Sequence, residues 1–122
     1  MTSRQDDKAS LRFPHHQLDA YRVALEALKL ADEMTKRVPR GYGPLCDQLR
    51  RASQSAFLQL AEGAARFGAD RAQRLRGARA EACEAAACVE AMGHLGLAPA
   101  AETAALLALF GRMAAMLTRL IR

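Results

Sequence analysis

Three clusters of helix breakers cut the chain into four stretches, and this punctuation constrains the fold more than any other feature. The first cluster is Val38-Pro39-Arg40-Gly41-Tyr42-Gly43-Pro44, the second is Gly68, and the third runs from Gly96 to Pro99. Between them, apolar residues recur at steps of three and four, the period of a helix face. No segment of any length alternates with period two, so no strand is predicted. The reading is all-α: an up-down-up-down antiparallel four-helix bundle with short turns. Residues 1–13 read as a flexible N-terminal tail and residues 14–122 as the bundle.

The inward stripes follow from the same period. The first helix, after Pro14, places Leu18, Tyr21, Leu25, Leu28 and Ala31 inward. The second, from Pro44 to about Phe67, places Leu45, Leu49, Ala52, Ala56, Leu60 and Gly63 inward, with Gly68 closing it in the left-handed conformation. The third, from about Ala69 to Leu95, is so rich in alanine that several phases fit. The one chosen buries Ala78, Ala82, Ala85, Val89 and Met92. The fourth buries Leu106, Phe110, Met113, Leu117 and Leu120, and carries Leu107, Leu109, Met116 and Ile121 off that stripe. A helix apolar on most sides is usually covered on two of them. Together with outward Leu58, this predicts self-association.

At 122 residues, with 51% apolar and 25% charged residues, the chain suits one globular domain. Its three cysteines have no metal-ligand spacing and read as buried reduced thiols, which points to the cytoplasm. The start of the chain lacks the apolar run of a signal peptide. The most apolar stretch, AALLALFGRMAAMLTRLI, is interrupted by Arg112 and Arg119, so no membrane span is expected. His15-His16 has no further ligand nearby in sequence, and no phosphate loop, nucleophile elbow or metalloprotease motif occurs. No cofactor and no metal are expected.

A polar stripe runs beside the core stripe of the second helix: Gln48, Arg51, Ser55, Gln59 and Glu62. With Gly68 at the middle of the turn, Glu62 faces Arg74, Ser55 faces Glu81, and Arg51 lies near Glu84. Asp47–Arg51, Glu62–Arg66 and Asp70–Arg74 are further pairs of opposite sign one helical turn apart. Two readings compete. In one, Glu62, Glu81 and Glu84 are catalytic carboxylates. In the other, the stripe is a structural seam that fixes the register of an alanine-rich hairpin. The seam is preferred, because catalytic carboxylate pairs need one member kept protonated, whereas each here has an arginine at hand. The chain is therefore expected not to be an enzyme.

The runs DQLRRASQSAFLQLAEGAAR and RLRGARAEACEA resemble a family of bacterial four-helix bundles encoded in 23S ribosomal RNA intervening sequences. Its relatives include the accessory variability determinants of diversity-generating retroelements. Gln48, Arg51, Ala52, Glu62 and Gly63 match the first family motif, and Ala78, Arg79 and Glu84 match the second. Gln59 stands where asparagine is usual, and Ala80-Glu81 where glycine-serine is usual. The resemblance implies a homopentameric ring and, for the retroelement members, binding to a reverse transcriptase and nucleic acid. It implies no catalysis.

Charge is uneven along the chain. Residues 37–79 hold nine arginines against Asp47, Glu62 and Asp70, whereas residues 80–110 hold four glutamates and no lysine or arginine. The bundle topology gathers Arg12, Arg66, Arg71, Arg74, Arg76, Arg119 and Arg122 at one end, near His15 and His16. Such an end suits a phosphate backbone. Arg71, Arg76 and Arg79 lead as contacts with RNA or DNA because the seam gives them no acidic partner. Arg66 and Arg74 stand behind them. The alternative is an oligomeric scaffold that binds protein alone.

Overall fold

The computed structural model describes residues 13–122. The N-terminal tail read over residues 1–13 lies, apart from Phe13, outside the described residues, as does Arg12. A 3₁₀ turn, Pro14–Gln17, leads into four α-helices: α1 (Asp19–Lys36), α2 (Gly43–Ala64), α3 (Gly68–His94) and α4 (Ala100–Ile121). No strand occurs among the described residues.

Specific cross-helix pairs fix the topology. Tyr21 meets Phe57, and Cys46 Sγ meets the Thr35 carbonyl oxygen, so α1 and α2 run in opposite directions. Gln48 and Arg51 meet Glu84, while Gly63 meets Leu75, which sets α2 against α3. Arg79 bonds Thr118 and Gly93 abuts Thr103 across α3 and α4. Arg37 reaches Glu102 and closes α4 back onto α1. Each helix packs on the two beside it around the square, α1 on α2 and α4, and α2 with α3 make the most extensive contact.

The expected stripes of α2, α3 and α4 are largely those that the core uses. Leu49, Ala52, Ala56 and Leu60 meet Leu75, Ala78, Ala82, Ala85, Val89 and Met92, with Leu106, Phe110, Met113 and Leu117 from α4. Each fully buried leucine contributes roughly 1.5–3 kcal/mol by leaving water. Leu45 and Leu120 are half-buried rather than inside.

The first helix differs from expectation. Its buried stripe is Ala20, Val23, Ala24, Ala27, Ala31 and Met34, while Tyr21 and Leu28 sit at the margin and Leu25 is 40% exposed. Two apolar stripes compete on α1, and the alanine-lined one wins because small side chains let the backbones approach closely. Helix α4 is corrected as well. Leu109 is buried within the bundle, and Leu107, Met116 and Ile121 pack on its core half-buried. The monomer itself covers most of that all-round apolar surface, which removes one argument for a subunit contact. Leu58 remains outward at 55% exposure.

The turns obey ordinary capping chemistry. At the end of α3, Leu97 N–H donates to the Met92 carbonyl and Gly96 N–H to that of Gly93, with Gly96 at φ +71°. This is the Schellman closure, and its left-handed residue favours glycine. Gly68 also takes a positive φ, +58°. However, α2 already stops at Ala64, so Gly68 opens α3 instead of closing α2. By length and composition α4 could cross a membrane; here it packs against α1 and α3.

Candidate functional site

The α2–α3 face is where the polar residues converge. Arg51 is the hub. Its guanidinium donates to Glu81 at 3.2 Å and also to Glu84, which accepts in addition from Gln48 Nε2. The hydrogen bond to Glu81, aided by the charges of both glutamates, holds Arg51 above its ordinary pKa. Glu81 and Glu84 stand three residues apart on one face of α3, close enough to repel, and the arginine fork offsets both.

This arrangement makes an expected result. In R51A, Glu81, whose side chain is only 18% exposed, and Glu84 face each other without a counter-charge. The variant should melt below wild type at neutral pH. Added salt, which screens the repulsion between the two carboxylates, should narrow the gap. Thermal melts of both proteins at low and high salt check it.

The remaining members of the stripe are placed differently from expectation. Ser55 does not meet Glu81; its Oγ accepts from Gln59 Nε2 at 3.0 Å on the same helix. Short serine cannot span the gap that long Arg51 crosses. Glu62 is exposed and forms no ion pair among the described residues. Gly63 occupies the contact position against Leu75 and Arg74, which turns Glu62 about 100° outward. Arg66 pairs with Asp70 at 3.0 Å, and Asp47 lies 3.8 Å from Arg50 rather than with Arg51. The pairs proposed between Glu62 and Arg66, Glu62 and Arg74, Asp70 and Arg74, and Asp47 and Arg51 are therefore absent.

The consequence for charge is direct. Asp70 is the sole acid between Arg66 and Arg79, and Arg66 takes it. Arg71, Arg74, Arg76 and Arg79 form no ion pair among the described residues. Arg71 donates to the Ala64 carbonyl at 3.4 Å, and Arg79 Nε donates to Thr118 Oγ1 at 2.8 Å. These neutral acceptors position two guanidiniums without cancelling their charge. Arg119 lines a groove at the same end with Gln17, Leu18 and Asp19.

Residues missed in the sequence reading sit between the hub and this basic end. Gln73 and Gly77 join Gln59, Asp70 and Arg74 around a small polar notch. An interior glycine in an alanine-rich helix was the available signal, since Gly costs about 1 kcal/mol against Ala there.

Other chemistry-bearing groups are more ordinary. His15 and His16 pack with Phe13 and Tyr21 as an aromatic cluster. Burial, and then the neighbouring His16, lower the His15 pKa. All three cysteines are free; Cys46 and Cys88 are buried, but Cys83 is exposed, contrary to expectation. Burial, reinforced by Glu84 and opposed by Arg51, pushes the Cys88 thiol up and away from thiolate reactivity. Among the described residues, no three His, Cys, Asp or Glu side chains gather as metal ligands would.

No curated protein matches the chain. A four-helix layout and the α2–α3 motif residues around Arg51 and Glu84 meet in one family, whose model matches residues 16–119: the chain belongs to the 23S rRNA-intervening sequence protein family.

Proposed function

We propose that this chain is a non-catalytic, oligomeric nucleic-acid-binding bundle. The observation that carries the reading is the set Arg71, Arg74, Arg76 and Arg79, four guanidiniums within nine residues of α3 with no carboxylate partner among the described residues. They lie in the half of α3 nearest its N-terminus. Guanidinium forks match phosphate oxygens, and a cluster of them follows a backbone without reading its sequence. Arg66, tied to Asp70, contributes less than the sequence suggested, and Arg74 more.

Self-association rests on the outward apolar residues Leu25 and Leu58, and the count of five in a ring rests on the family resemblance. A ring would repeat the basic end around an axis and sum its field. A reverse transcriptase is the protein partner that the resemblance suggests, and native mass measurement reads the subunit count.

Titration of the protein with generic RNA and DNA at two salt concentrations tests the reading. With three phosphate contacts, affinity should drop roughly four- to six-fold for each doubling of salt. Absence of binding at low salt would favour the competing reading, an oligomeric scaffold for protein partners alone.

A further inference from the structure

The polar notch between α2 and α3 has a volume of about 290 Å³ and is lined by Gln59, Asp70, Gln73, Arg74 and Gly77. Gly77 forms its floor. A Cβ built there would fall 2.0 Å from Gln59 Oε1, so only glycine lets that carboxamide lie across the α3 backbone. Ser55 Oγ holds the other end of the amide, accepting from Nε2 at 3.0 Å. Arg66 holds the Asp70 carboxylate at 3.0 and 3.1 Å. Two of the lining groups, Gln59 and Asp70, are thus held in place.

Their chemistry is mixed. Arg74 only donates, the Asp70 carboxylate only accepts, and the two carboxamides do both. A phosphate needs donors on every side and is repelled by Asp70. The edge of a nucleobase, with donors and acceptors side by side, matches the set. Guanine presents two adjacent N–H donors beside a carbonyl oxygen on its Watson–Crick edge. A carboxylate can accept both donors while a guanidinium donates to the carbonyl. Uracil and cytosine lack the adjacent pair of donors, and adenine has a single amino group there.

We propose that this notch receives the Watson–Crick edge of one unstacked base of a single strand, with guanine preferred. The inference rests on the nucleic-acid reading above and deepens it: Arg71, Arg76 and Arg79 hold phosphates of the strand, while the notch on the α2–α3 face inspects one of its bases. Single strands are suited to this, since their bases can splay out of the stack.

The test uses the full chain and short uridine strands carrying one central guanine, inosine or uridine, followed by fluorescence anisotropy. Wild type should favour guanine over uridine by roughly tenfold or more. Inosine, which lacks the amino donor, should fall between them. In Gly77→Ala the new methyl displaces the Gln59 carboxamide into the notch. Charge is unchanged, and alanine is the better helix former. This variant should keep its affinity for plain uridine strands and its salt dependence, yet lose the guanine preference. Free guanosine monophosphate should compete far less well than the strand; equal affinity would overturn the strand as the ligand. Equal binding of all three strands by wild type, or a guanine preference retained in Gly77→Ala, overturns the notch proposal and leaves the phosphate-binding reading standing. If no strand binds even at low salt, the phosphate-binding reading falls and the notch proposal with it.

Discussion

Reversing Arg71, Arg76 and Arg79 together to glutamate is expected to weaken nucleic-acid binding at ~0.1 M salt by at least about two orders of magnitude. Each guanidinium on a phosphate releases condensed counterions, and each reversal replaces that gain with repulsion. The fold should tolerate the change, because among the described residues none of the three side chains holds a carboxylate. Arg76 is exposed. Thr118, which loses the bond from Arg79, still donates to the Ala114 carbonyl. A glutamate at position 71 sits in the first turns of α3, where a negative charge complements the helix dipole. Thermal melts should therefore stay within a few degrees of wild type while anisotropy titrations collapse. The control is Arg40→Glu in the α1–α2 turn, at the opposite end of the bundle, which should bind like wild type. If the triple variant binds as wild type does, the interface is not on this end of α3.

Helix existence was legible because breakers and periodicity are local properties. Pro44, Gly68, Gly96 and Pro99 each act within a few residues, and the structure turns near every one. The buried phase was legible where one stripe was plainly heavier, as with Leu106, Phe110, Met113 and Leu117. On α1 it was not, because the choice between Leu25 and Ala24 depends on how near the neighbouring backbones come. That distance is set by all four helices at once. The same limit governed the seam. A single turn residue fixes how far along two antiparallel helices lie, but not how each is rotated. Arg51 found Glu84 because its side chain is long enough to absorb the error. Ser55 and Glu62 are not, and one turned to its own helix and the other to solvent. The notch could be suspected only from Gly77, whose meaning depends on Gln59 across the interface.

Substituting Gly63 with valine should have the largest effect on stability, about 2–3 kcal/mol of destabilisation in a urea melt. Already a single Cβ at this position would stand 2.8 Å from Leu75 Cδ2 and 3.2 Å from Arg74 Cβ. Leu75 is fully buried in the core, while Arg74 Cβ moves only with the α3 backbone. Valine adds two further methyls to that clash, so α2 and α3, the most extensively packed pair of helices, must separate there. The modest helix propensity gained on replacing glycine, a few tenths of a kcal/mol, does not offset this. Separation would also strain the reach of Arg51 to Glu81 and Glu84, coupling the packing defect to the charge hub about three helical turns away along α2 in the same interface. Gly77→Ala makes the informative contrast. There the added methyl meets the far end of a half-exposed glutamine, which can swing aside, so stability should hold or rise slightly. A Gly63→Val protein as stable as wild type would mean that α2 and α3 do not cross at these glycines. Loss at Gly63 with none at Gly77 would locate the tight crossing beneath the turn and leave the notch above it free to serve a ligand.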